Sequence, residues 1–224
     1  MLFDILSGGD IRVALITLLL TVPTVLISLT FHEVAHGYVA YKLGDPTAYN
    51  MGRLTLNPLA HLDPLGALLM LLVGFGYAKP VPINTRYFKN PKYGMAISAA
   101  AGPITNLLLG LVATVLMYTY AWNLAPLINA NIVFFVIYQM LFYFAYLNFA
   151  LAIFNMIPLP PFDGSRVLFA FLPDRLYFGV MRYERYIMIA VLVLMSMDLF
   201  PFSAGNIAFS IMDGIGNLYG ALVS

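Results

Sequence analysis

Residues 13–42 read VALITLLLTVPTVLISLTFHEVAHGYVAYK, an apolar run broken only by hydroxyls and by the cluster His32-Glu33-Val34-Ala35-His36 before it ends on Lys42. A bilayer crossing takes about 20 apolar residues, so the run is longer than one straight crossing requires. Pro23 is placed to kink it. A cleavable leader fits poorly, because Asp4 and Asp10 precede the apolar run and no small-residue cleavage site follows it. The whole chain of 224 residues shares this character, with 62% hydrophobic and 9% charged residues, whereas soluble domains carry roughly 25% charged residues. The bilayer is therefore the expected solvent. The 11 basic and 10 acidic side chains nearly cancel and form no basic patch, which excludes a nucleic-acid partner. With no cysteine, the chain has no disulfide framework, thiolate metal site or cysteine nucleophile.

Working outward, three further segments are apolar enough to span: Met95–Trp122, Ile132–Ile157 and the shorter Tyr186–Phe200. Leu65–Ala78 is apolar but below the roughly 18 residues of a spanning helix, which suits a re-entrant or buried segment. Residues 205–222 carry Asp213 as their one charge and are expected to pack as a final helix. Between Gly44 and Pro64, Gly, Pro, Asn and Thr become frequent, and Arg53-Leu54-Thr55-Leu56 alternates like a strand after the Asn50-Met51-Gly52 turn. The predicted fold is thus an all-α polytopic membrane protein. It has about 4–6 transmembrane or re-entrant helices and a small β-hairpin near residues 48–56.

Positive charge sets the expected orientation. Residues 79–92 hold Lys79, Arg86, Lys89 and Lys92 with no acid, residues 158–185 hold Arg166, Arg175, Arg182 and Arg185, and residues 123–131 hold no charge. The positive-inside rule places both basic loops in the cytoplasm and the uncharged loop outside. The first helix then reaches the cytoplasm near Lys42.

Two histidines four apart, His32 and His36, project about 40° apart on one helical face. They can grip one zinc ion through ring nitrogens, with Glu33 facing the water on that metal. The five-residue pattern arises by chance in about one chain in a hundred of this size. Ionisable groups within a membrane segment are costly, and that favours a functional reading over a pair of ordinary polar residues. A catalytic zinc site needs a third protein ligand, and His61, Asp163 and the remaining acids are the candidates. The segment ending Asn155-Met156-Ile157 runs into Pro158-Leu159-Pro160-Pro161-Phe162-Asp163-Gly164, where the prolines break the helix. Exposed backbone at membrane depth is tolerated only where it is buried in protein or lines a wet cavity. Asp163 and His36 both fall near the cytoplasmic ends of their segments, hence at similar depth.

The HExxH within an apolar helix, together with N-x-x-P-x-P-P-x-D-G after a later one, resembles the site-2 protease family of intramembrane zinc metalloproteases. Gly102-Pro103-Ile104-Thr105-Asn106 is similar to the family's Gly-Pro-x-x-Asn helix. Gly44-Asp45-Pro46-Thr47 through His61-Leu62-Asp63-Pro64 resembles its compact bacterial and archaeal branch, which lacks PDZ or CBS domains. The likeness covers about residues 28 to 170. It implies one Zn2+ per chain held by His32, His36 and Asp163, and Glu33 as catalytic base. Phe162 stands where the family commonly has leucine. The resemblance implies a single transmembrane metalloprotease domain over residues 1–224, in the cell membrane as a multi-pass protein, with its active site toward the cytoplasm. The implied partners are the lipid bilayer and a transmembrane protein or peptide substrate.

Asn155 and Asn106 are amides in apolar helices, able either to hydrogen-bond a substrate or oxyanion or to join helices. His61 reads first as a loop histidine bonded to backbone and second as a support of the metal shell. The expected reaction is peptide hydrolysis by zinc-activated water with Glu33 as general base. The substrate helix unwinds locally and pairs with residues 52–56 or 65–88 as an added strand. Two other classes compete: a transporter or channel using the broken helix at 155–164 as an ion site, and a membrane zinc hydrolase acting on a non-peptide substrate.

Overall fold

The computed structural model describes residues 10–73, 78–196 and 203–223. The first helix, α1, runs Ile11–Lys42, with the Asp10 carboxylate accepting from the Arg12 N–H at its start. At 1.5 Å per residue it is roughly 48 Å long, more than the bilayer core. Its hydroxyls do not compete with the fold. Thr17, Thr21, Thr24, Ser28 and Thr30 each donate to the carbonyl four residues earlier, so no polar group faces hydrocarbon unpaired. Beyond Lys42 the chain reverses at Gly44, whose φ of +107° suits a residue without Cβ.

The expected hairpin near residues 48–56 is absent; among the described residues there is no sheet. Instead Thr47–Asn50 forms a single helical turn, α2. Its start is capped by Asp45 Oδ1, which accepts from the Thr47 N–H, and its end is closed by N–H bonds from Met51, Gly52 and Arg53 back to Thr47, Tyr49 and Ala48. The alternation in Arg53-Leu54-Thr55-Leu56 is real, but a strand needs a partner ladder, and the arm that would supply it is coiled into α2. Helix α3, Pro64–Val73, covers the start of the apolar segment expected to re-enter. Leu62 and Ala78 form an isolated antiparallel bridge, so the two ends of that segment meet. A single crossing would hold them apart.

Helix α4 spans Pro91–Ala130 and α5 spans Ile132–Asn155. The expected span Met95–Trp122 lies within α4, but the chain beyond it is not an open loop. It kinks at Leu124 (φ −123°), next to Pro126, and stays helical to Ala130. Proline removes one helical hydrogen bond and crowds the preceding turn, which accounts for the kink. Asn131 then caps α5 by accepting from the Val133 N–H. After the proline-rich break come α6 (Asp163–Phe169), α7 (Asp174–Met181), α8 (Glu184–Ser196) and α9 (Ala204–Val223). The expected span Tyr186–Phe200 is helical as far as Ser196, and its remainder lies outside the described residues.

Among the described residues three helices, α1, α4 and α5, are long and apolar enough to cross a membrane. They pack on one another, and α9 closes the far side by setting Ala208 and Met212 against Ala113, Met117, Ala145 and Phe149. The packing inverts the soluble pattern. Leu108, Leu111, Val112 and Leu116 of α4 point outward, while the largest fully buried side chains are Asn106 and Asn148. In lipid, large apolar side chains gain nothing by turning inward. Small residues let the helices approach, and polar ones join them.

Candidate metal centre

Three side chains from two helices converge on one point. His32 and His36 come from consecutive turns of α1, and Asp163 is the first residue of α6. The two Nε2 atoms lie 3.0 Å apart, and each lies 3.2 Å from Asp163 Oδ2. Both imidazoles are buried.

Hydrogen bonds behind the rings decide what the front of the site is. His36 Nδ1 donates to the Ser98 carbonyl at 2.7 Å, and a carbonyl can only accept. His32 Nδ1 meets Asn106 Oδ1. That amide is oriented by its other end, since Asn106 Nδ2 donates to Asn148 Oδ1 at 2.6 Å and to the Ser28 carbonyl. Asn148 is fixed in turn, donating to Ser28 Oγ and the Phe144 carbonyl. Nδ1 of each imidazole therefore carries a hydrogen, so each ring, when neutral, presents the lone pair of its Nε2. No hydrogen-bond donor among the described residues reaches Asp163 Oδ2.

Three acceptors facing one another in a buried site repel unless a cation lies among them. The spacing fits zinc: tetrahedral bonds of about 2.05 Å set neighbouring ligand atoms roughly 3.3 Å apart. Imidazoles whose remote nitrogens are held by a carbonyl and an amide are also the usual outer support of such ligands.

Local structure explains why these side chains can meet. A Cβ on Gly102 would lie 2.5 Å from His36 Nε2 and 2.6 Å from His32 Cε1. Gly102 thus leaves α4 a notch in which both rings sit. Asp163 is set by the break after α5. Ser165 Oγ donates to the Phe162 carbonyl at 2.7 Å, the Phe162 ring meets Phe154 edge to face at 4.4 Å, and a Cβ on Gly164 would collide with the Met156 carbonyl. Phe162, an aromatic where the resemblance calls for leucine, therefore serves as the anchor of the ligand loop.

Glu33 is half-buried, and its Oε2 accepts from the Val81 N–H at 2.8 Å. His61 lies outside the cluster of candidate ligands. It is buried with Nε2 donating to the Thr55 carbonyl at 2.8 Å, the backbone-bonded arrangement expected first. Asn155 donates to the Leu151 carbonyl at 3.0 Å.

The family comparison agrees with this centre. Residues 20–197 match the model of Peptidase family M50. The chain belongs to that family. This M50 chain is 42% identical over 77% of its length to "Putative zinc metalloprotease YwhC" of Bacillus subtilis, covering 78% of that protein. It is 33% identical to MJ0611 of Methanocaldococcus jannaschii, named in the same words, over 62% of this chain and 63% of that one. No solved structure matches it. The M50 chain is a zinc metalloprotease, and its membrane character agrees with its apolar helices.

Sequence reasoning missed Ser28, Asn148 and the Ser98 carbonyl. A signal was present: Thr24, Ser28, His32 and His36 stand four apart on one face of α1, as do Ser98, Gly102 and Asn106 on α4. Gly102→Ala should push both rings from the notch and weaken zinc binding by roughly 10- to 100-fold, as measured by competition with a chromogenic chelator.

Proposed function

We propose that the chain is an intramembrane endopeptidase that hydrolyses peptide bonds of membrane-spanning substrates, with His32, His36 and Asp163 holding zinc and Glu33 as general base. The observation that carries this reading is the convergence of the three ligand atoms inside a bundle whose long helices are apolar enough to cross a bilayer. When bound, zinc supplies a Lewis acid that lets water act as a nucleophile near neutral pH and polarises a carbonyl. Glu33 Oε2 is engaged by Val81, which leaves Oε1 to take the proton from water and deliver it to the leaving amine. A helical substrate must unwind locally, because its carbonyls are otherwise held in the helix.

The partners of the two asparagines divide their roles. Asn106 has its amide committed to His32, Asn148 and Ser28, which supports a positioning role rather than contact with the oxyanion. Asn155 has one amide hydrogen on Leu151, and the other is available to a substrate carbonyl. His61 supports the loop around the site through the Thr55 carbonyl.

The proposed setting is the cell membrane, with residues 1–224 forming one multi-pass domain of four to six membrane-embedded helices. In this arrangement α1, α4 and α5 cross, α3 re-enters, and α8 and α9 complete the bundle. The basic residues of 79–92 and 158–185 support a cytoplasmic site, and the uncharged residues 123–131 support placing that end of the α4–α5 hairpin outside.

Three measurements test these assignments. Glu33→Gln keeps the shape but accepts no proton, so the purified variant should retain zinc and lose at least about 10²-fold in cleavage of a transmembrane peptide; cleavage at the parental rate would remove Glu33 as base. Asp163→Ala should lose zinc on dialysis while His61→Ala keeps it in stoichiometric amount. The reverse pattern of metal content would make His61 the third ligand. For orientation, Arg86→Cys in this cysteine-free chain should resist an impermeant thiol reagent in intact cells and react after permeabilisation. Labelling from outside would overturn the cytoplasmic assignment.

A further inference from the structure

Residues 79–84 are neither helix nor strand, and Val81 among them lies against α1. Pro80 and Pro82 have no amide hydrogen, so Val81 carries the one backbone donor of that tripeptide, and Glu33 Oε2 receives it at 2.8 Å. Such an approach needs Val81 close against α1. Gly37, one turn beyond Glu33 on the same face, supplies the room: a Cβ there would lie 2.8 Å from Val81 Cγ1 and 2.7 Å from Leu54 Cδ2.

Both ends of the segment are fastened by loop residues that lie outside the metal cluster. At one end the Lys79 N–H donates to the His61 carbonyl at 2.8 Å, and the Lys79 carbonyl accepts from Arg53 Nη2 at 2.8 Å. At the other, the Asn84 N–H donates to Asp45 Oδ2 at 2.6 Å, while Asp45 Oδ1 caps the Thr47 N–H at 3.0 Å. Asp45 is fully buried, and Arg53 is 9% exposed. Buried charged groups are costly unless hydrogen bonds hold them, and both of these bond to the backbone of the segment that donates to Glu33.

We propose that Asp45 and Arg53 are positioning residues for the hydrolysis. They fasten residues 79–84 at both ends so that the Val81 N–H holds Glu33 Oε2 and keeps Oε1 free for the proton. The proposal rests on the reading of Glu33 as general base. A rival use of the same segment, as an edge that pairs with substrate, predicts a different kinetic signature.

The full chain is assayed in detergent on a transmembrane peptide, with zinc content measured for every variant. Replacing the Val81 amide by an ester deletes the N–H and alters no side chain. It should lower kcat by about 10-fold, since small misplacement of a catalytic group is expensive, with KM within about twofold of the parent and zinc retained. Arg53→Ala and Asp45→Asn should move kcat in the same way. Arg53→Lys, which keeps a donor, should recover most of the loss. The ester combined with Arg53→Ala should cost no more than the larger single change, because both release the same hold.

A raised KM with unchanged kcat would assign the segment to substrate binding and overturn the proposal. Loss of zinc in the ester would make it a support of the metal. Multiplying effects in the combined variant would show that Arg53 acts elsewhere. If Asp45→Asn or Arg53→Ala fails to fold, the ester still decides the contact and Arg53→Lys the anchor. Glu33→Gln, measured alongside, separates the failures: parental activity there sinks the base assignment, whereas an inactive Glu33→Gln beside an ester of parental kcat sinks only the positioning role.

Discussion

His32 Nε2, His36 Nε2 and Asp163 Oδ2 face one another across 3.0 to 3.2 Å, three acceptors when both rings are neutral. Such an arrangement is unfavourable in an apolar interior without a cation at its centre, so the surrounding fold has to hold it in place. Much of the buried polar inventory does that work. Thr24, Ser28, Asn148 and Asn106 form one connected chain of hydrogen bonds ending on the back of His32, and it ties α1, α4 and α5 together. The same network that orients the His32 ring also joins the three long helices.

Small residues do the complementary work. Gly102 clears space for two imidazoles, Gly37 for Val81, and Gly164 for the backbone of the proline break. Each sits where a methyl group would meet a functional atom or the segment carrying one. A stripe of small residues in a membrane helix is commonly read as a helix–helix contact. At Gly110, where a Cβ would lie 3.1 Å from the Phe149 ring, that reading holds. At Gly102 the neighbours are the His32 and His36 rings themselves.

The Glu33 carboxylate is held from outside its own helix. Glu33 lies beside the ligands in sequence, but its carboxylate is met by the backbone of residues 79–84, which the loop after α1 fastens through Asp45, Arg53 and His61. The turn-rich stretch between Gly44 and Pro64 therefore serves as a bracket. Its hydrogen bonds go to the backbone of another segment, which is why it has no need of a ladder of its own.

Local chemistry was legible in the chain. The apolar runs marked the long helices, the His-Glu-x-x-His spacing marked two candidate ligands and a candidate base, and the prolines after Asn155 marked a break carrying a carboxylate. All of these depend on residue type and on separations within a few turns. The third candidate ligand was open on spacing alone, because only the fold, with α6 packed on α4, brings Asp163 rather than His61 to the two imidazoles. The hairpin near residues 48–56 misled because alternation describes a strand's faces and says nothing of its partner. Asp45 instead closed the arm into a helical turn. Asn106 could have been helical glue or a substrate contact until its partners were known, since an amide offers donor and acceptor alike and only its neighbours choose between them. The sequence by itself determined which groups could bind and move a proton. The tertiary structure decided which of them meet, because convergence at 3 Å depends on contacts between residues far apart in the chain.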